Sequence, residues 1–210
     1  VEEKTWQITG IETQKNNPDR VNIYLDGAFG FGLARQVVIQ QHLHEGDRLT
    51  DAVIDRVLLK EEIVRAKNGA IRLLSYRARS VEELRKKLSE RGYSSRVIER
   101  VIGDFLRAGL LDDRSFAMAF ARSRLSQKTM GKRLLRQEVM KKGIPGDLAE
   151  EAVEEAFGER EETDLALELG RKKRKLLKGD ALQVKRKLSA FLYRRGFSWD
   201  VIAQVLKEVV

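Results

Sequence analysis

The apolar residues of this chain follow two periods, and the change from one to the other falls about a third of the way along. In the first third Ile8, Ile11, Val21, Ile23, Leu25, Phe29, Phe31 and Leu33 lie in short runs, several alternating with polar residues. Alternation puts one set of side chains on one face of a pleated strand, so two or three antiparallel strands are expected here. Asn16-Asn17-Pro18-Asp19 and Asp26-Gly27 carry turn chemistry between them. Ala34 to about Leu43 reads as irregular or as a short helix, and Glu45-Gly46-Asp47 as another turn. Thr50 is suited to cap a helix through Val53, Ile54, Val57, Leu58 and Ile63. Strands this few are marginal alone, so this small domain is expected to lean on that helix.

From about Asn68 the period is helical, and the pattern repeats three times. The copies align on Gly92, Gly143 and Gly196. Eight and four residues before each glycine stand Leu84 and Leu88, Leu135 and Val139, then Leu188 and Leu192. Residues four apart share one stripe of a helix, and the glycine suits the position just past its end. Tyr93, Ile144 and Phe197 follow immediately. Further on come Val97, Ile98, Val101 and Ile102, then Leu148, Ala149, Ala152 and Val153, then Val201, Ile202, Val205 and Leu206. An upstream helix is expected in each copy, over roughly 70–79, 114–126 and 163–177. Ser80 with Glu83 has the form of a capping box, Ser94 and Ser198 suit N-caps, and Pro145 suits a first helical turn. Each copy is thus a three-helix module with too little core to be very stable alone, which stacking of neighbours would remedy. The expected fold is mainly α: three tandem modules in an elongated curved array behind a small strand-rich N-terminal domain. The boundaries fall at 1–66, 67–112, 113–160 and 161–210.

Composition narrows the function. The chain has 210 residues, 42% hydrophobic and 35% charged, with only 2 Pro. That balance favours amphipathic helices over a sandwich or barrel. The lack of Cys excludes disulfides and thiolate metal sites. No apolar run reaches the roughly 18 residues of a membrane span, and the Val1-Glu-Glu-Lys4 start lacks the order of a signal peptide. A soluble cytoplasmic protein is expected. The net charge of +9 is uneven, since residues 1–66 sum to −3 and the remainder to +12. Such local excess attracts polyanions or acidic proteins.

Catalytic sets are missing. His42 and His44 have no third spaced ligand, which makes ordinary surface histidines of them. Gly27, Gly30 and Gly32 lack the Gly-Lys-Ser/Thr of a phosphate loop and fit a turn and close strand packing instead. Asp112 and Asp113 sit at a break between helices, where capping the next helix is the simplest role. The expectation is a protein that binds and is not an enzyme, with no cofactor and no metal.

The basic clusters are the candidate site. In the second module Arg114, Arg122, Arg124 and Lys128 are followed by Lys132, Arg133, Arg136, Lys141 and Lys142. Residues three to four apart, such as Arg133 and Arg136, share a helical face. The third module adds Arg171, Lys172, Lys173, Arg174 and Lys175, then Lys185, Arg186, Lys187, Arg194 and Arg195. The run 171–175 wraps its helix and cannot all face one ligand, though phosphate neutralisation needs no fixed spacing. The module aromatics read as core positions, which argues against a base-stacking platform and for backbone or protein contact.

Gly109-Leu-Leu-Asp-Asp-Arg-Ser-Phe-Ala117, continuing to Phe120-Ala-Arg-Ser-Arg124, resembles the most distinctive stretch of the bacterial RecX family of RecA regulators. So do Gly131-Lys-Arg-Leu-Leu-Arg-Gln-Glu138 with Lys142-Gly-Ile144, and Ser80-Val-Glu-Glu-Leu-Arg-Lys-Lys-Leu88 with Arg91-Gly-Tyr93. The likeness is strong over about residues 73–155 and looser in the third module, and the strand-rich start resembles the extension of longer family members. Where the family often has an aromatic beside the glycine, this chain has Met130-Gly131. The resemblance implies three three-helix modules that bind in the groove of the RecA–single-stranded DNA filament. They would restrain its ATPase and strand exchange and promote its disassembly, with weak DNA binding of their own. The implied partners are the RecA filament and single-stranded DNA, with no membrane and a monomer when free. From the residues alone, a helix-turn-helix-like DNA-binding regulator and an adaptor for an acidic protein stay open.

Overall fold

The computed structural model describes residues 4–210; the first three residues, which begin the Val1-Glu-Glu-Lys4 start considered above, lie outside the described residues. The strands are β1 (Thr5–Gln14), β2 (Asn17–Leu25), β3 (Ala28–Ala34) and β4 (Arg48–Thr50), with α1 (Arg35–Gln40) before the last. Then come α2 (Asp51–Tyr76), α3 (Val81–Ser89), α4 (Ser95–Arg107), α5 (Asp113–Gln127), α6 (Lys132–Met140) and α7 (Gly146–Phe157). The third module is α8 (Glu162–Arg174), α9 (Ala181–Arg194) and α10 (Trp199–Val209). The chain forms two compact units, one running to Arg77 and including Leu84–Ala108, the other made of Ala78–Glu83 and Gly109–Val210.

In the first unit the antiparallel sheet has the order β3-β2-β1-β4, so β4 adds a strand that alternation did not reveal. Three residues are too few to show a period. The first hairpin turns at Lys15-Asn16, ahead of the expected site, and Pro18 lies inside β2, near its start, where a missing N–H is tolerated. The second turns at Asp26 (φ 49°) and Gly27 (φ 82°), two left-handed residues of the kind a tight hairpin needs. Ile8, Val21, Ile23, Leu33, Val37, Leu49 and Val57 form the core. Phe29, which stands with Phe31 in the apolar pattern of the strands, is 61% exposed. An irregular register between Ile23 and Tyr24 leaves Gly30 without a partner, so Phe29 turns outward and meets Tyr24 edge to face. Buried Glu61 of α2 ties the helix to the sheet, accepting from Arg20 Nη1 and from the Ala34 N–H, both at 2.6 Å.

Thr50 caps α2, accepting from the Val53 N–H. The sequence suggests one helix here and a second from Ala70, but α2 runs unbroken for 26 residues and ends at Tyr76. Gly69 inside it costs about 1 kcal/mol relative to Ala. Burial of Val64, Ala66 and Ala70 around it outweighs that, and Arg91 donates to the Gly69 carbonyl at 3.3 Å.

The repeat is a packing repeat. Leu84, Leu88, Leu135, Val139, Leu188 and Leu192 are all fully buried. Gly92, Gly143 and Gly196 take φ of 83°, 82° and 91°. After α9 the Gly196 N–H bonds the Tyr193 carbonyl and the Phe197 N–H the Leu192 carbonyl; Gly92 and Tyr93 do the same with Ser89 and Leu88. This pairing satisfies the last carbonyls of a helix and needs a left-handed residue past its end. Ser198 caps α10 through the Val201 N–H, whereas Ser94 caps α4 without a side-chain bond. Pro145 occupies the cap itself, one residue before the expected first turn. Helix α8 stops at Arg174 where the sequence extended it to Leu177, since Leu176 and Leu177 close tighter turns on Lys173 and Arg174.

Within the second unit one joint is built twice. The start of α3 (Ser80, Val81) meets the loop before Gly143, and the start of α6 (Gly131, Lys132) meets the loop before Gly196. Ser80 Oγ, which also accepts from the Glu83 N–H, donates to the Lys142 carbonyl; the Gly131 N–H donates to the Arg195 carbonyl at 2.9 Å. One residue on, the Val81 N–H donates to Asp113 Oδ1 at 2.8 Å and the Lys132 N–H to Glu162 Oε1 at 2.9 Å. Asp113 and Glu162 are the first residues of α5 and α8. Each acid therefore satisfies an orphan N–H of a preceding helix. Met130 is fully buried, and a Cβ on Gly131 would overlap the Gly196 backbone, which explains the glycine at that position.

Two outcomes are expected. Gly92→Ala meets open space and should cost only the left-handed strain of about 1–2 kcal/mol. Gly196→Ala would also collide with the Leu134 backbone, adding an overpacking cost of about 1–3 kcal/mol; urea unfolding of both variants by circular dichroism checks the order. Asp112 accepts from the N–H groups of Arg114 and Ser115, and the Ser115 hydroxyl, then those amides, holds its carboxyl below the usual range. Asp112→Ala should therefore cost about 1 kcal/mol at neutral pH. Because the folded-state pKa is lowered, the charge-dependent part of that difference is present above the ordinary carboxylate range and is lost as pH falls through the folded value, while the neutral carboxyl still accepts from the amides. Urea midpoints at pH 7 and pH 3 test it.

Candidate binding surface of the second unit

The expected basic residues fall into two electrostatic classes. Helix α7 presents Glu150, Glu151, Glu154 and Glu155, whose spacing of one and four makes a single acidic ridge. From α5, Arg114 pairs with Glu151 and Arg122 with Glu155, the latter at 3.0 Å. From α6, Lys132 reaches Glu154 and Arg136 reaches Glu150, both at 2.6 Å. Arg124 Nε donates to Glu138 at 2.5 Å, which holds the Glu138 carboxyl below its usual range. Lys142 Nζ lies 2.9 Å from Glu83 Oε1. Six of the nine second-module cations are thus matched inside the fold, and Arg124, Lys132, Arg136 and Lys142 are half-buried. Lys128 and Lys141 are exposed and form no close ion pair among the described residues, although both add to the field that lowers the pKa of the Glu138 carboxyl. Exposed ion pairs are each worth little and exchange readily, so the ridge lowers the local field without locking the side chains.

The third module differs. Arg171 and Lys172 pair with Glu208 (3.5 Å) and Glu168 (2.6 Å), while Arg174 donates to the Leu177 carbonyl. Lys175, Lys185, Arg186 and Arg194 are exposed without a carboxylate partner among the described residues. Among the described residues Lys187 Nζ bonds only the Lys178 carbonyl, at 3.3 Å. Between α8 and α9 lies a groove of about 480 Å³ whose wall holds Lys173, Arg186, Lys187 and Arg194 and no carboxylate. Its floor is Leu177, Ala190 and Phe191, and Lys173 Nζ sits 5.3 Å from the Phe191 ring. As expected, the 171–175 run divides around its helix, and only Lys173 enters this groove.

Arg133 and Arg195 serve the joint. Arg133 Nη2 donates to the Tyr193 carbonyl and its guanidinium lies 4.3 Å from that ring, while Arg195 Nη1 donates to the Thr129 carbonyl. The expectation that module aromatics are all core residues is overturned here. Tyr193 and Trp199, 41% and 61% exposed, stack with centroids 5.0 Å apart beside these arginines. Neither holds a position of the apolar repeat, so periodicity gave no signal for them; an aromatic inside Tyr193-Arg-Arg195 was the available cue. No helix of the described residues is long and apolar enough to cross a membrane.

Known proteins share this architecture. Sequence profiles of the regulatory protein RecX N-terminal domain and of the first, second and third RecX three-helix domains match residues 6–50, 66–105, 112–153 and 160–206. Regulatory protein RecX of Clostridioides difficile is 33% identical over 97% of this chain and 95% of its own length. That of Bacillus cytotoxicus is 31% identical over 96% of this chain and 76% of its own length. A crystal structure of regulatory protein RecX superposes with a TM-score of 0.76 at 26% identity, covering 96% of this chain and 99% of that one. RecX from Lactobacillus salivarius, at 22% identity and a TM-score of 0.64 over 71% of this chain and 97% of its own, shares the fold. With the sheet, the repeated modules and their profiles all in register, the chain belongs to the RecX family of regulatory proteins.

Proposed function

We propose that this protein acts on the RecA–single-stranded DNA filament, lying in its groove, restraining ATP hydrolysis and strand exchange and promoting disassembly. Family membership supports a regulatory role, and the resemblance of Gly109–Arg124 to the family's distinctive stretch supports the choice of recombinase. The observation that carries the reading is the carboxylate-free cationic groove of the third module. A polyanionic filament surface is attracted to charge that the protein has not already matched. The contact set comprises the basic residues of the second and third modules, led by Lys128, Lys141, Lys175, Lys185, Arg186 and Arg194. The remaining ones contribute by exchanging their intramolecular partners. The protein is proposed to be a cytoplasmic monomer when free, in four parts at 1–66, 67–112, 113–160 and 161–210, and to need no cofactor. Binding alters the filament only through a difference in affinity between filament states. A ligand that bridges neighbouring protomers in one state has such a difference.

The test compares two sets of charge reversals in an ATPase assay on preformed filaments. Changing Lys185, Arg186 and Arg194 to Glu should raise the concentration for half-inhibition at least tenfold. Changing Arg122, Arg124, Lys132 and Arg136 to Glu should have a smaller effect per charge, since each now stands against a glutamate. Full inhibition by the first variant, with helical content unchanged, would remove the third-module groove from the interface.

A further inference from the structure

Charge counting makes the first 66 residues slightly acidic, yet folding gathers several of their cations with later ones along two grooves. Arg56, Lys60 and Lys67 fall four and seven residues apart and so share one face of α2. Arg96 and Arg100 rise beside them from α4, and Gln36 and Gln40 of α1 close the opposite wall of a groove of about 750 Å³. Its one lining carboxylate, Asp104, is already engaged with Lys67 at 2.7 Å and Arg100 at 3.4 Å. Arg56, Lys60 and Arg96 are exposed and have no carboxylate partner among the described residues. A second groove, of about 840 Å³, shares Gln36 and is walled by Arg20, Arg35, Arg65, Arg72 and Arg91, with Asp19 as its carboxylate. Arg20 serves Glu61, and Arg35 and Arg91 donate to carbonyl oxygens of Pro18 and Gly69. Arg65 and Arg72 remain exposed and unmatched among the described residues.

We propose that these two grooves, on either side of α1, form a second nucleic-acid-binding surface, held wholly within the first compact unit and directed at the phosphate backbone. Three features select the occupant. Cationic side chains recur through the lining of both grooves, whereas the centre of a protein–protein interface is depleted of charge. Side-chain amides of Gln36, Gln40 and Asn68 stand among the guanidinium groups, the mixture of charged and neutral donors that phosphate oxygens accept from. Among the described residues Tyr93 is the only aromatic in either wall and is half-buried, so bases have no open ring to stack on and sequence preference is not expected. Asp55 and Glu62, which line the adjoining depression beside Arg56 and Arg96, mark where the positive track ends. The surface is independent of the filament reading, because bare nucleic acid suffices to occupy it.

The experiment measures anisotropy of a labelled dT oligonucleotide, and of a duplex of equal length, with the full chain across a salt series. The variants are Arg56→Glu, Lys60→Glu and Arg96→Glu combined, and the neutral set Arg56→Gln, Lys60→Gln and Arg96→Gln. These side chains are exposed and unmatched, so circular dichroism should not change. The reversal should weaken binding at low salt at least tenfold and the neutral set by less. The neutral set should also flatten the slope of log affinity against log salt by about 2 for the single strand, as expected for three lost phosphate contacts. The strand form with the higher wild-type affinity identifies the preferred backbone. Unchanged affinity and slope for both nucleic acids would overturn the proposal. Unchanged nucleic-acid binding with lost inhibition of the recombinase would overturn it too, assigning the grooves to an acidic protein instead.

Discussion

The arrangement of the second unit rests on a pair of backbone groups that a helix cannot satisfy by itself. The N–H groups of Val81 and Lys132 begin α3 and α6, where no preceding turn exists to accept from them. Asp113 and Glu162, each the first residue of a later helix, accept these bonds from thirty or so residues away along the chain. Negative charge at such helix starts is also favoured by the helix dipole. The same loops bring the carbonyls of Lys142 and Arg195 to Ser80 and Gly131. Breaking either joint would leave several polar groups without partners at once. The chemistry of that joint explains why a short segment, Ala78–Glu83, belongs with the second compact unit although the rest of α3 belongs with the first.

Glycine geometry serves the same joint. Gly92, Gly143 and Gly196 all terminate helices in a left-handed conformation, but only the latter two are pressed against another module's start. A side chain there would displace Glu82 or the Leu134 backbone. One residue type thus answers two requirements, a backbone angle and a close approach, while Gly92 answers only the first.

Charge in this molecule is distributed by folding as well as by composition. The acidic ridge of α7 lies between α5 and α6 and meets four of their cations, so the second module is far less positive than its sequence implies. Among the described residues the third module has no equivalent ridge, and its groove is lined by four cationic side chains, of which Lys173 lies over Phe191. The first unit, acidic by count over residues 1–66, draws Arg96 and Arg100 from beyond that boundary to flank Arg56 and Lys60. An unmatched charge gains a new partner without losing an old one, so it is the stronger attractor of a polyanion.

The sequence by itself determined the three modules and their cores, because burial acts on each helix at a fixed period, which alone assigns Leu84, Leu135 and Leu188 inward. It also determined the caps at Thr50, Asp112 and Ser198, whose partners lie within three residues. Local interactions leave local traces. Strand β4, the outward Phe29 and the fusion of two helices into α2 were not legible. The first pairs across 40 or more residues, the second follows a register shift, and the third depends on packing around Gly69. For the same reason, the sequence could supply the basic residues but not their electrostatic state. Whether Arg114 or Arg186 is available to a ligand depends on a glutamate 37 residues distant in one case and on none in the other, and only the tertiary structure decides such pairings.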